Sequence, residues 1–80
     1  MTVTPAQIRG ARAMLRMVQH ELAEKAELSQ RSLAMIETGA AKAREGTLER
    51  LRVVLEKEGV VFFDSDEGRG VMLKGDGADA

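Results

Sequence analysis

Residues 19–37 constrain this chain more than any other stretch. Gln19 to Ala26 reads as a short helix with Leu22, Ala23 and Ala26 on one face. Glu27-Leu28-Ser29 follows, and Ser29 is suited to cap a second helix from about Gln30 to Glu37, with Leu33 and Ile36 on its apolar side. Two helices this short, separated by three residues, must cross each other to bury those faces. Ala23 and Ala26 let the backbones approach, while Leu22, Leu28, Leu33 and Ile36 form the wedge that sets the angle. The outward face of the second helix then holds Gln30, Arg31, Ala34 and Met35, with Ser32 towards one edge and no acidic residue before Glu37. Arginine forks onto guanine and glutamine onto adenine in a major groove about 12 Å wide, so such a face suits base edges. Its plain alternative is an ordinary solvated helix surface.

The flanking chain predicts more helix and then a change of period. Thr4-Pro-Ala-Gln7 opens a first helix: threonine accepts from free amides, Pro5 suits the first helical position, and Gln7 closes a capping box. Ile8, Ala11 and Leu15 recur as its apolar stripe, and Arg9, Arg12 and Arg16 share it, Arg9 and Arg16 as solvated cations. Thr38-Gly39 ends the helix begun at Gln30, and residues 40–46 read as a loop containing Lys42, Arg44 and Glu45. Thr47 is the expected cap of a fourth helix, with Leu48, Leu51 and Leu55 inward and Gly59 past its end. After Gly59 the run Val60-Val-Phe-Phe63 is strand-forming, Asp64 to Gly70 has turn chemistry, and Val71-Met-Leu73 is a second apolar run, which together predict a β-hairpin. Residues 75–80, made of Gly, Asp and Ala, read as a disordered tail.

Composition narrows what such a fold can do. Eighty residues make one small domain whose core leaves a thin stability margin. With no cysteine and His20 as the sole imidazole, disulfides and a structural zinc site are both excluded, so self-association is the remaining support. The five methionines read mostly as core filler. Catalysis has no basis: there is no paired-carboxylate cleft, no thiol and no glycine-rich phosphate loop, and His20 has no nucleophile beside it. No cofactor or metal is expected. No apolar run approaches the length of a membrane span and no basic-then-apolar leader opens the chain, so a cytoplasmic protein without membrane contact is expected. Net charge is −1, yet residues 1–55 carry net +3 and residues 56–80 net −4. The helical part is mildly basic and the tail acidic. Just two aromatics, Phe62 and Phe63, rule out a stacking platform for single strands.

The segment Gln19-His-Glu-Leu-Ala-Glu-Lys-Ala-Glu-Leu-Ser29, continued by Gln30-Arg-Ser-Leu-Ala-Met-Ile-Glu-Thr-Gly39, closely resembles the Cro/C1-type (XRE) helix-turn-helix family of bacterial and phage regulators. The resemblance covers about residues 5–58. It implies a mainly α fold, a four-to-five-helix lambda-repressor-like DNA-binding domain over 4–58 with its helix-turn-helix at 19–37, here followed by a C-terminal β-hairpin over 60–74. It further implies base reading by Gln30, Arg31 and Met35, flanked by Ser32 and Ala34. Phosphate contact would come from Gln19, Ser29, Thr38, Lys42 and Arg44, and a buried ion pair from Arg12 and Glu37. Three positions depart from the family pattern. Val18 stands where a Thr or Ser cap is usual, Glu27 replaces a turn glycine, and Met35 offers apolar contact in place of a hydrogen-bonding fork. The hairpin takes the place of a fifth helix.

The expectation is therefore a sequence-specific double-stranded DNA-binding transcriptional regulator, a repressor or autorepressor, acting as a homodimer on an inverted-repeat operator. The hairpin is the expected dimerisation element through Val60, Val61, Phe62, Phe63, Val71 and Leu73; packing on the chain's own helices is the other way to cover it. A rival of a different class is an antitoxin-like protein that neutralises a protein partner through the hairpin and acidic tail and binds DNA secondarily.

Overall fold

The computed structural model describes residues 2–75. Along the chain these form α1 (Pro5–Leu15), α2 (Gln19–Lys25), α3 (Gln30–Thr38), α4 (Glu45–Lys57), β1 (Val60–Ser65) and β2 (Gly68–Leu73). The expected four helices and hairpin are present; the expected tail lies, apart from Gly75, outside the described residues.

Local chemistry sets most boundaries. Thr4 Oγ1 accepts from the Gln7 backbone N–H at 3.1 Å, and Gln7 Oε1 accepts from the Thr4 N–H at 3.0 Å, a complete capping box. Ser29 Oγ accepts from the Ser32 N–H at 3.0 Å and starts α3, which ends where Gly39 turns left-handed at φ 81°. Val18 brings no side-chain cap to α2, but the Glu21 carboxylate accepts its N–H at 3.2 Å, so half of a capping box remains. Helices α1 and α2 both close with paired bonds from the next two amides: Met17 to the Arg12 carbonyl with Arg16 to Ala13, and Leu28 to Ala23 with Glu27 to Glu24. The left-handed residues of these closures are Arg16 (φ 56°) and Glu27 (φ 61°), neither of them glycine.

Two boundaries differ from expectation. Helix α4 begins two residues before Thr47: the carbonyl of Arg44 accepts from Thr47 and Leu48, each at 3.0 Å, and Glu45 puts a carboxylate at the positive end of the helix dipole. Glu45 and Gly46 are thus helix rather than loop. The strands also run past their apolar residues, with register Val60↔Leu73, Phe62↔Val71, Asp64↔Arg69 and Ser65↔Gly68, so just Asp66 and Glu67 form the turn. Gly68 follows that turn at φ 141°, a backbone setting closed to side chains.

Ile8, Leu22, Leu33, Leu51, Leu55 and Val60 are fully buried and join the four helices and β1 into one core, against which Val71 of β2 packs half-buried. Each such side chain contributes about 1.5–3 kcal/mol on leaving water. On the surface of α4, Arg52 clamps Glu49 and Glu56, and its hydrogen bond holds the Glu49 carboxyl below its ordinary value.

The hairpin packs on the chain's own helices. β1 lies against α4 and β2 against α1. Val60 and Phe62 are 1 % and 7 % exposed, so they belong to the core and have no surface to offer a second subunit. Val71 is half-buried against the same core, close enough to Gly10 that a Cβ there would meet its Cγ2 at 3.3 Å. Of the six residues expected at a dimer seam, Phe63 and Leu73 keep exposed surface and Val61 is half-buried.

Candidate nucleic-acid interface

Helix α3 is aimed by a polar network beneath its C-terminal end. Glu37 is 1 % exposed. Its carboxylate accepts a fork from Arg12, Nε to Oε2 and Nη2 to Oε1, both at 2.9 Å. The amide of Gln19 donates to the same Oε1 at 3.0 Å. Arg12 also donates to the Met17 carbonyl at 3.1 Å, and Arg9 donates to the Glu37 carbonyl. α1, α2 and α3 are therefore joined at one carboxylate, whose burial is tolerated because it is paired and fully hydrogen-bonded. The expected Arg12–Glu37 pair is present, and Gln19 braces α3 as well. Arg9 is exposed, as expected, and also caps one carbonyl at the end of α3, that of Glu37.

The opposite side of α3 is open. Leu33, Ile36 and Glu37 face inward, whereas Gln30, Arg31, Ser32 and Met35 are exposed and Ala34 is half-buried. No hydrogen bond or ion pair among the described residues engages the side chain of Gln30 or Arg31, so their donors are available. Ser29 and Ser32 hydroxyls bond each other at 2.9 Å. Thr38 is exposed, its hydroxyl donating to the Met35 carbonyl at 3.2 Å.

Between α3, the 40–44 loop and the start of α4 lies an open groove of about 360 Å³, lined among others by Leu28, Ser32, Met35, Lys42, Arg44 and Thr47. Lys42 and Arg44 are exposed, and no ion pair among the described residues engages either. The lining includes two cations and two hydroxyls but no carboxylate. Its cations and hydroxyls suit contact with an anion. The structure brings Ser32, Met35, Lys42 and Arg44 together in one depression, with Gln30 and Arg31 at the start of the same helix and Gln19 reaching its far end.

Two contributors are not legible in the local pattern. Arg50 Nε donates to the Ala26 carbonyl at 2.8 Å, fastening the end of α2 to α4. Gln7, read as a capping residue, also donates through Nε2 to the carbonyls of Phe63 and Gly70 at 3.2 and 3.0 Å. The signal for the second role is glutamine where glutamate would cap equally well: a cross-link to carbonyls needs a donor.

On α1, at about 100° per residue, Gln7 and Gly10 face the hairpin while Arg9 and Arg12 point the opposite way towards α3. The helix is a strut between the two. Comparison of the chain with models of known protein families returned no match, and neither did comparison with curated proteins.

Proposed function

We propose that the chain is a sequence-specific double-stranded DNA-binding protein, a transcriptional regulator of the Cro/C1 helix-turn-helix type. In this reading α2 and α3 are the helix-turn-helix of a lambda-repressor-like domain, and α3 enters the major groove. The observation that carries it is the exposed, carboxylate-free face Gln30–Arg31–Ser32–Met35, held out from the body by the Glu37 network.

Each group then has a physical task. Arg31 forks onto guanine O6 and N7, Gln30 pairs with adenine N6 and N7, and Met35 with Ala34 meets a thymine methyl. Lys42, Arg44, Thr38, Ser29 and Gln19 line the edges of that face and take phosphates, which supply affinity and register rather than sequence. The amide of Gln19 has a second hydrogen beyond the one given to Glu37, so bracing and phosphate contact are compatible. A homodimer would present two copies of α3 about 34 Å apart on an inverted repeat. A body measuring 33 × 30 × 18 Å is of a size to fit that spacing.

Selection of bound sites from random duplex DNA at stated salt is the direct test. Recovery of an inverted repeat with conserved half-sites is expected. Binding with no preferred sequence, or none at all, would overturn the proposal.

A further inference from the structure

The hairpin has one face without cover. Residues paired across an antiparallel ladder project to the same side, so Val60/Leu73 and Phe62/Val71 form the face towards the core and Val61/Met72 and Phe63/Gly70 form the outer one. The inner side of the Phe63/Gly70 pair has no side chain, and the Gln7 amide fills that place. Outside, Phe63 lies across Gly70, where a Cβ would come within 2.5 Å of its ring. Phe63 is 42 % and Met72 50 % exposed, and Val61 is half-buried beside them.

Glu58 at the base of this face pairs with Lys25 and Arg69 near the tip pairs with Asp64, and the charges left outside ion pairs at the two ends are opposite in sign. Asp66 and Glu67 form the turn at the tip. At the base, Lys74 is held by its N–H to the Gly59 carbonyl at 2.9 Å and shares the outer parity of Met72, with Lys57 ending α4 nearby in the chain. All four are exposed, and none enters an ion pair among the described residues.

We propose that a second copy of this chain covers the face, the two hairpins packed outer side to outer side and antiparallel about a twofold axis. In an isologous contact, whatever one end of the patch meets is the other copy's matching surface. Antiparallel packing sets each acidic tip on the partner's lysines and apolar middle on apolar middle; parallel packing would set acid on acid. An anionic lipid surface is disfavoured by the acidic tip. A stable interface buries about 1,200–2,000 Å² in total, and a patch centred on three side chains is small beside that, so weak association, micromolar or weaker, is expected. The inference deepens the regulator reading by naming the surface that would join two half-site readers. It is tested without DNA, so failure of either leaves the other standing.

The experiment is light scattering or sedimentation of the full chain from roughly 1 µM to 1 mM. The mass should rise with concentration towards twice the 8.7 kDa of one chain. Met72→Glu should weaken association at least tenfold (about 1.4 kcal/mol), with unchanged circular dichroism and little change in melting because Met72 is half exposed in the single chain. Glu67→Lys and Lys74→Glu should each weaken it a few-fold, and an equimolar mixture of the two should recover, since that heterodimer pairs opposite charges at both ends. A parent that stays monomeric throughout overturns the proposal, as does Met72→Glu associating like the parent. A mixture no tighter than its components overturns the antiparallel arrangement.

Discussion

Helix α3 and the hairpin sit on opposite faces of α1; both bury apolar side chains in the core, but they differ in the polar contacts that hold them. Under α3, beside the buried Leu33 and Ile36, there is a directional set: a bidentate ion pair, a glutamine amide and an arginine on a terminal carbonyl all meet at Glu37. Under the hairpin the contacts are mostly apolar, with Val60 and Phe62 in the core and a single amide from Gln7. The exposed surfaces follow the same division, polar donors on α3 and Phe63 with Met72 on the hairpin. Hydrogen bonds lose strength steeply with misalignment, so a surface of donors needs a stiff mount. An apolar surface tolerates small shifts. The difference teaches that one end of this molecule is built for orientation and the other for contact.

The strongest way to break the comparison is Glu37→Ala. It leaves the Arg12 guanidinium without its partner and frees the Gln19 amide. Removing one member of a buried pair costs about 3–5 kcal/mol, and because Arg12 retains some access to water the lower figure is expected. Urea unfolding should show a loss of about 3 kcal/mol. A loss below about 1 kcal/mol would mean that the network is not what holds α3.

On the hairpin side Gln7 sharpens the contrast. Gln7→Ala removes half of the capping box and two hydrogen bonds to strand carbonyls, together about 2 kcal/mol. Hydrogen exchange should accelerate at the amides of β1 and β2 and stay unchanged in α3. Gln7→Glu discriminates further. Glutamate caps well, so a purely capping residue would tolerate the change. A buried carboxylate facing the Phe63 and Gly70 carbonyls has nothing to donate, so a loss at least as large as that of alanine is expected.

The proposed reading face should respond in the opposite way, in binding and not in stability. Arg31→Ala removes an exposed side chain with no internal partner, so melting should be unchanged. Binding to the selected DNA site should weaken by about 1–3 kcal/mol and one base position should relax. Lys42→Ala should weaken binding to all sequences alike and lower the salt slope by about 1. Equal losses at every base position for Arg31→Ala would place that residue on the phosphates instead.

Why some of this is legible in the chain and some is not follows from how local each cause is. Thr4 with Gln7, Ser29 with Ser32, and Gly39 act within four residues, and their helix ends lie where the pattern puts them. The start of α4 does not, because Arg44-Glu45-Gly46-Thr47 offers a tempting threonine cap while the actual start relies on a backbone carbonyl and a dipole-favoured glutamate. Asp64, Ser65, Arg69 and Gly70 look like turn residues, yet ladder pairing with facing residues holds them extended. Period-two alternation separates Val60 and Phe62 from Val61 and Phe63, but which set meets the helices depends on α1 and α4. Arg9 lies three residues before Arg12 on the same side of α1, so its reach to Glu37 follows once the direction of Arg12 is known.

Backbone strain gives the smallest and cleanest test. The hairpin places Gly68 at its φ of 141°, whereas the turn before α3 holds Glu27 at φ 61°. A side chain in the left-handed region costs about 1–2 kcal/mol, and glycine would remove that cost. The unfolded chain would then gain freedom, returning about 0.5–1 kcal/mol of the benefit. Glu27→Gly should therefore raise stability by about 0.5 kcal/mol, read as a higher urea midpoint with the same slope. Glu27 is exposed, and its carboxylate makes no ion pair among the described residues, so little else is lost with it. A decrease in stability would mean that the Glu27 side chain stiffens the turn, and that the orientation of α3 depends on this junction as well as on the Glu37 network.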